Sequence, residues 1–357
     1  MAKRMNKKAR ILWLTVCIAA AAVVFFIIVL PKLGTPQEPE DALPSVRLSV
    51  WIAYWDWENG MKDLKAISGT PDSLQAFAAS FNSSDKLFFP EGMEDMPAKL
   101  KAVQAAKPGL PVYLTIVNDT MDANGKWTDK NGGLIDRLMQ SENTRTKHAA
   151  DILNLVDQGG FGGVEIDYEE ISGQSWLGFC DFCSRLHATL QQKGKKMRVV
   201  LEPGVKAVAS LPEGPEYVVM AYNLYGTGTE PGPKADDAFI RELADKMKDI
   251  RGSKCLAFAT GGYDWAPDGS AVQVTEAEAY TLSQNSQDLH RDNASGDLYF
   301  TYQKDGSTHT VWYADSQTLK GWFGLSRSLR IGNIALWRLG DARPNTLQML
   351  GQLKEIK

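Results

Sequence analysis

Histidine and cysteine are scarce in this chain of 357 residues, four of each. None of the histidines (His148, His187, His290, His309) stands in an HExxH pattern or beside a serine elbow. That argues against a His-ligated metalloenzyme and against a Ser-His-Asp hydrolase. Four cysteines do not build a disulfide scaffold. Cys180 and Cys183 are three apart in WLGFCDFCSRL, a helical spacing. A lone CxxC there reads as two buried thiols rather than a zinc or redox motif, so no metal or other cofactor is expected. No strand candidate leads into GxGxxG or GxxxxGK[ST], which disfavours a nucleotide-binding doubly wound sheet. Acids are missing from the first 32 residues, which carry six basic side chains. The remainder then holds 33 basic against 43 acidic residues, a net charge of −10. A body this acidic is a poor partner for nucleic acid.

What the N-terminus does contain is a run of twenty uncharged residues, ILWLTVCIAAAAVVFFIIVL, at 11–30. Its length suits a bilayer span. The basic segment at 1–10 predicts a cytoplasmic N-terminus and an exported body. The run exceeds a typical signal-peptide core, and no small-x-small site follows it, so an uncleaved anchor is favoured over a cleaved signal. Residues 31–46 read as a Pro- and Glu-containing linker. Residues 47–357 remain for one domain. The expected location is a single-pass position in the cell membrane with that domain outside, as a monomer.

From Arg47 onward short apolar runs alternate with longer amphipathic ones. Eight strand candidates stand out: Leu48–Trp55, Leu74–Phe81, Pro111–Asp119, Gly162–Glu170, Met197–Pro203, Tyr217–Asn223, Cys255–Gly261 and Asn333–Gly340. Helical patterns lie between most of them, among them HAADILNLVDQG and WLGFCDFCSRLHATLQQKG. Eight strands alternating with helices predict a single (β/α)₈ TIM barrel. The rhythm breaks between the seventh and eighth strands. There DLYFTYQKDGSTHTVWYAD reads as a β-hairpin turning at Lys304-Asp305-Gly306, within an insertion at about 266–318.

The fourth candidate is preceded by glycines, as GGFGGVEIDYEE. Val164, Ile166 and Tyr168 alternate with Glu165, Asp167 and Glu169, so one face of the strand is entirely acidic. Like charges at that spacing raise one another's pKa, an arrangement suited to a carboxyl that must keep a proton. In a barrel the C-terminal strand ends build the site. Those ends carry Tyr54 and Trp55, Asn118 and Asp119, Asp167 and Glu169, Glu202, Tyr222 and Asn223, and Trp337. Carboxylates with tryptophans at one mouth suit a sugar: indoles stack on pyranose C–H faces and carboxyls handle protons at a glycosidic bond.

These residues resemble glycoside hydrolase family 18, the chitinase-like barrels. GGVEIDYE (Gly162–Glu169) is similar to the family's DxxDxDxE signature, MAYN (Met220–Asn223) to its Met-x-Tyr-Asp motif, and ALWRLG (Ala335–Gly340) to the end of its eighth strand. YLTIVND, PGPKA and WYAD look most like the bacterial branch of spore-cortex-lytic and spore-germination N-acetylglucosaminidases. The resemblance covers about residues 48–345. It implies a retaining, substrate-assisted hydrolysis of β-1,4-linked N-acetylglucosamine-containing glycan, peptidoglycan or chitin-like. In it Glu169 is the general acid/base, Asp167 orients the substrate's acetamido group and Tyr222 hydrogen-bonds that group. Trp337 forms the floor of the subsite. Glu165, Asn223, Tyr54, Trp55, Asn118, Asp119 and Glu202 are further candidates for substrate contact. Three positions depart from the family pattern: Gly162 and Glu165 replace its first two aspartates, and Asn223 replaces the aspartate of the sixth strand. Those departures keep a second reading open, a carbohydrate-binding barrel of the same fold that does not hydrolyse. The presence of Glu169 favours the enzyme.

Overall fold

The computed structural model describes residues 43–353. The expected anchor at 11–30 and most of the linker lie outside the described residues. Among the described residues no helix is long and apolar enough to cross a membrane.

The strands longer than two residues, in chain order, are β1 (Arg47–Ala53), β2 (Ser73–Asn82), β3 (Val112–Met121), β4 (Gly163–Asp167), β5 (Lys196–Leu201), β6 (Glu216–Met220) and β7 (Ser253–Ala259). They continue as β8 (Gly261–Trp265), β9 (Ala271–Val274), β10 (Leu298–Lys304), β11 (Ser307–Ala314) and β12 (Asn333–Leu339). β1 to β7 pair in sequence, all parallel, and β12 closes the ring between β7 and β1. All eight expected strands are present, as an eight-stranded closed parallel barrel.

Alternation along each strand sorts side chains between two cores. Val50, Ile52, Val164, Ile166, Leu256, Phe258, Ile334 and Leu336 face outward. They pack on helices that include α1 (Trp57–Ala66), α2 (Met96–Ala106), α3 (Gly132–Met139), α4 (Glu142–Gln158), α5 (Trp176–Gln192) and α6 (Asp237–Lys246). Trp51, Val200, Val218, Met220, Cys255, Ala257 and Ala335 fill the barrel interior. Cys180 and Cys183 are buried free thiols on α5, as expected. Between β5 and β6 the outer ring has only a 3-10 turn, Val208–Ser210, where the other segments carry helices.

The insertion is larger than a hairpin. β8 leaves the barrel after Thr260, one residue beyond β7, because Gly261 takes a left-handed turn at φ +62°. The order across its antiparallel sheet is β9–β8–β11–β10, with the short strand His290–Arg291 at the edge. The expected hairpin is its centre, turning at Asp305 (φ 49°) and Gly306 (φ 76°), both left-handed as a two-residue hairpin turn demands. The insertion therefore begins at Gly261, earlier than its sequence suggested. Across it Tyr263, Trp312, Tyr299 and His290 form one cross-strand row.

Candidate active site

The site begins with a glycine. A Cβ on Gly163 would lie 2.3 Å from the carbonyl oxygen of Lys196, so only glycine lets β4 lie this close to β5. From there Val164, Ile166 and Tyr168 point to the helices, and Tyr168 meets Nε2 of buried His148 at 2.7 Å. Burial drives the His148 pKa down to about 3, which keeps its imidazole neutral. The acidic face points into the barrel.

Glu165 is the deepest of the three acids and has no solvent exposure. Trp51 Nε1 donates to it at 2.5 Å and Thr115 Oγ1 at 2.8 Å. Its other oxygen lies 2.8 Å from Nε of Arg198, which also reaches Glu216 at 3.1 Å. Thr115, Glu165 and Arg198 are direct neighbours in the register of β3, β4 and β5. The expectation of a substrate contact at Glu165 is corrected here: the side chain is enclosed by protein on all sides and sits one layer beneath the mouth. It compensates a buried guanidinium, and neither charge could stay there alone. Gly162 carries no comparable constraint, since a Cβ there would meet only ordinary contacts near 3.6 Å.

Asp167 ends β4 one pleat higher. Burial raises its pKa well above the ordinary carboxylate range, and the negative charges of Glu169, Glu165 and Asp119 raise it further. Glu169 lies just past the strand. Its pKa is also raised, chiefly by burial, although Lys130 Nζ donates to its Oε2 at 2.6 Å and pulls the other way. Asn118 fixes the main chain of Glu169 from both sides: its Oδ1 accepts from the Glu169 N–H and its Nδ2 donates to the Glu169 carbonyl, each at 2.9 Å. Asn118 is 1% exposed, so it positions the acid and is out of reach of substrate, another correction. Asp119 accepts from the backbone N–H of Lys130 at 2.8 Å and so holds the loop that carries this lysine. Glu202 accepts from the Glu170 N–H at 2.9 Å and adds negative charge to the neighbourhood of Glu169 and Lys130.

Tyr222 follows β6 and packs, as Trp337 does, on the interior cluster that holds Trp51 and Met220. Its phenol is kept neutral by burial and by the charges of Asp167, Glu169 and Glu165. Trp337 meets Trp51 edge-on at 6.0 Å and Phe77 at 5.0 Å. Its peptide bond to Arg338 is cis. Trp55 is 53% exposed, and its ring lies 6.2 Å from that of Trp337. Trp55, Trp337 and Gln273 of β9 share a hollow of about 350 Å³, so the insertion supplies part of its wall. Tyr54 stacks on Trp127 at 6.5 Å, which links the first strand end to the loop carrying Lys130. Asn223 and Glu202 line a separate cavity of about 640 Å³ with Tyr168 and Trp176. Asn223 is exposed there, and its amide lies 3.7 Å from Met220 Sδ.

The acids, the phenol and the tryptophans expected at one mouth are thus accompanied by groups that sequence reasoning missed. Arg198 left a trace, a charge at an inward position of an apolar strand. Lys130 left none, being one lysine in a polar loop.

The profile of glycosyl hydrolases family 18 matches residues 50–342 of this chain. The chain belongs to that family. As a member it is a glycoside hydrolase. It is 24% identical over 266 residues to the uncharacterized glycosylase YvbX of Bacillus subtilis, spanning 69% of this chain and 76% of that one. Three further curated Bacillus relatives are matched over only 53%, 56% and 54% of their lengths. The fold is also that of the Bacillus cereus spore cortex-lytic enzyme SleL, with a TM-score of 0.74 and 18% identity over 87% of this chain and 75% of that one. A chitinase from Chromobacterium violaceum shares it at a TM-score of 0.75 and 16% identity, over 88% of this chain and 100% of that one.

Proposed function

We propose that this hydrolase cleaves β-1,4-linked N-acetylglucosamine-containing glycan, peptidoglycan or chitin-like, with retention and with help from the substrate's own acetamido group. The observation that carries this reading is the half-buried pair Asp167 and Glu169, both pushed toward the protonated state beside a neutral Tyr222. Glu169 gives its proton to the glycosidic oxygen as the bond to the anomeric carbon breaks. The acetamido carbonyl oxygen forms the new bond to that carbon, and Asp167 and Tyr222 hold the acetamido group in line. Water then attacks the same carbon as its bond to the acetamido oxygen breaks, and the Glu169 carboxylate takes the water's proton. Proton transfer of this kind is worth about 10²–10⁴ in rate. Trp337 and Trp55 supply apolar faces for the sugar rings. The residues at 11–30 would anchor the enzyme in the membrane with the barrel outside.

One observation favours the competing, non-hydrolytic reading. Lys130 lies on the acid and stabilises its charged form, which cannot donate a proton. Residues 46–357 and the variant Glu169→Gln, incubated with chito-oligosaccharides and with purified peptidoglycan, separate the two by mass spectrometry of the products. Hydrolysis by the parent and loss of at least about 10²-fold in the variant support the enzyme. Retention of glycan without cleavage by either protein supports the binding barrel.

A further inference from the structure

Lys130 is held where it is by more than its ion pair. Its backbone takes a left-handed φ of 51°, its N–H is fixed by Asp119, and the next residue, Asn131, donates to the Asn118 carbonyl and to Thr120 Oγ1, each at 3.0 Å. The same Asn118 clamps the main chain of Glu169, so the cation and the acid hang from one support. The Lys130 side chain is 42% exposed and that of Glu169 15%, so the lysine is the more open of the two to solvent. It faces an acidic neighbourhood made by Glu169, Glu202 and Asp167.

We infer that Lys130 is a specificity-determining residue that reads a carboxylate on the sugar leaving the active site. The inference rests on the hydrolase reading of Glu169 above. A general acid touches the oxygen it protonates, so a cation at 2.6 Å from one oxygen of that acid lies at most roughly 8 Å from the scissile oxygen. That is the reach of a substituent on the ring carbon next to the one bearing this oxygen. Muramic-acid-containing glycan freed of its stem peptides carries an ether-linked carboxylate at that carbon of the leaving sugar, and chitin carries a hydroxyl. Without a cation at this point, the acids of the mouth would repel the charged substrate. With it, the substrate carboxylate draws the ammonium away from Glu169. The acid then loses the neighbour that favours its ionised form and keeps the proton it must donate. A neutral glycan leaves the ion pair in place.

The test uses three tetrasaccharides: alternating N-acetylglucosamine and N-acetylmuramic acid with free carboxylates, the same glycan as its methyl ester, and chitotetraose. Cleavage (kcat/KM) and binding (tryptophan fluorescence) are measured separately for the parent, Lys130→Met and Lys130→Arg. The expected result is a preference of the parent for the free carboxylate of about 10-fold or more over the ester, as for a charge-assisted contact. Lys130→Met loses that preference and Lys130→Arg retains it. A parent that cleaves all three without preference, or a Lys130→Met variant that keeps the preference, overturns the inference and leaves the hydrolase reading intact. A parent that binds the carboxylate form preferentially through Lys130 but cleaves nothing keeps the inference about recognition and overturns the hydrolase reading. A parent that neither binds nor cleaves any of them overturns both.

Discussion

Glu169 stands between a burial effect that keeps its proton and a lysine that takes it away. Its pKa is raised on balance, so the proton survives to higher pH than in a free carboxyl. Activity should fall as pH climbs through that raised value, giving the basic limb of kcat/KM. The charged groups that face it are Lys130, Asp167, Glu202 and Asp119. Replacing Lys130 by Met removes the one of these that favours the ionised acid, so the basic limb should move to higher pH; a limb that stays put would show that the ion pair does not govern the acid. Asp167 supports a second expectation. A carboxyl whose folded pKa is raised stabilises the fold below its unfolded pKa, and that contribution is lost as pH rises through the folded value. Since pH 7 lies above the unfolded value, that contribution is already declining there. Asp167→Asn should therefore raise Tm at pH 7 while lowering kcat, with the gain in Tm shrinking as pH falls to where the parent's carboxyl is protonated in both states. Thermal melts across pH check this. At this scale the sequence was legible where pattern spoke. Three acids on one strand face pointed to a candidate site, but which of them is enclosed beneath the mouth depended on a partner 33 positions from Glu165. Only the register of β4 against β5 brings Arg198 there.

At the scale of the element, β4 and its neighbours are held by a close approach and by one ionic layer. Gly163→Ala would force a methyl into the Lys196 carbonyl, so it should cost on the order of 1–3 kcal/mol in urea unfolding, as overpacking does. Gly162→Ala, one residue earlier, has room and should change stability by about 0.5 kcal/mol or less. Equal effects at the two glycines would refute the close-approach account. Arg198→Met should be far worse, about 3–5 kcal/mol, because it leaves Glu165 buried without its cation. The double variant Arg198→Met with Glu165→Gln should recover much of that loss in the same assay. The barrel strands were readable because near-continuous apolar runs rich in β-branched and aromatic residues are what a doubly covered strand requires. The missing helix between β5 and β6 and the extra strands around the hairpin were not. The insertion's outer strands are short, two residues at His290–Arg291 and four at β9, and pairing of that length leaves little periodicity to read.

At the scale of the whole molecule, the insertion sheet is tied back to the barrel through its own ion pair, Arg291 with Asp315 at 2.7 Å, and through Trp322 donating to the Ser295 carbonyl at 2.8 Å. Trp322 lies on the helix Ser316–Ser328, which leads the chain from the sheet back to β12. The sheet therefore stands on both chain crossings rather than hanging from one. The barrel itself closes only when β12 pairs with β1, Arg47 opposite Asn333. Trp337 sits on that closing strand, beside Trp51 and Trp55 from the other end of the domain. Ring closure thus has the longest sequence separation of any pairing in the barrel, and contacts of that kind form late because the loop they close is costly. A chain that emerges N-terminus first can pair seven strands and still lack Trp337 at its mouth. On the function proposed above, such an enzyme would stay silent during its own synthesis and grip glycan only once its last strand had arrived, a delay between being made and being able to cut that is carried in its topology.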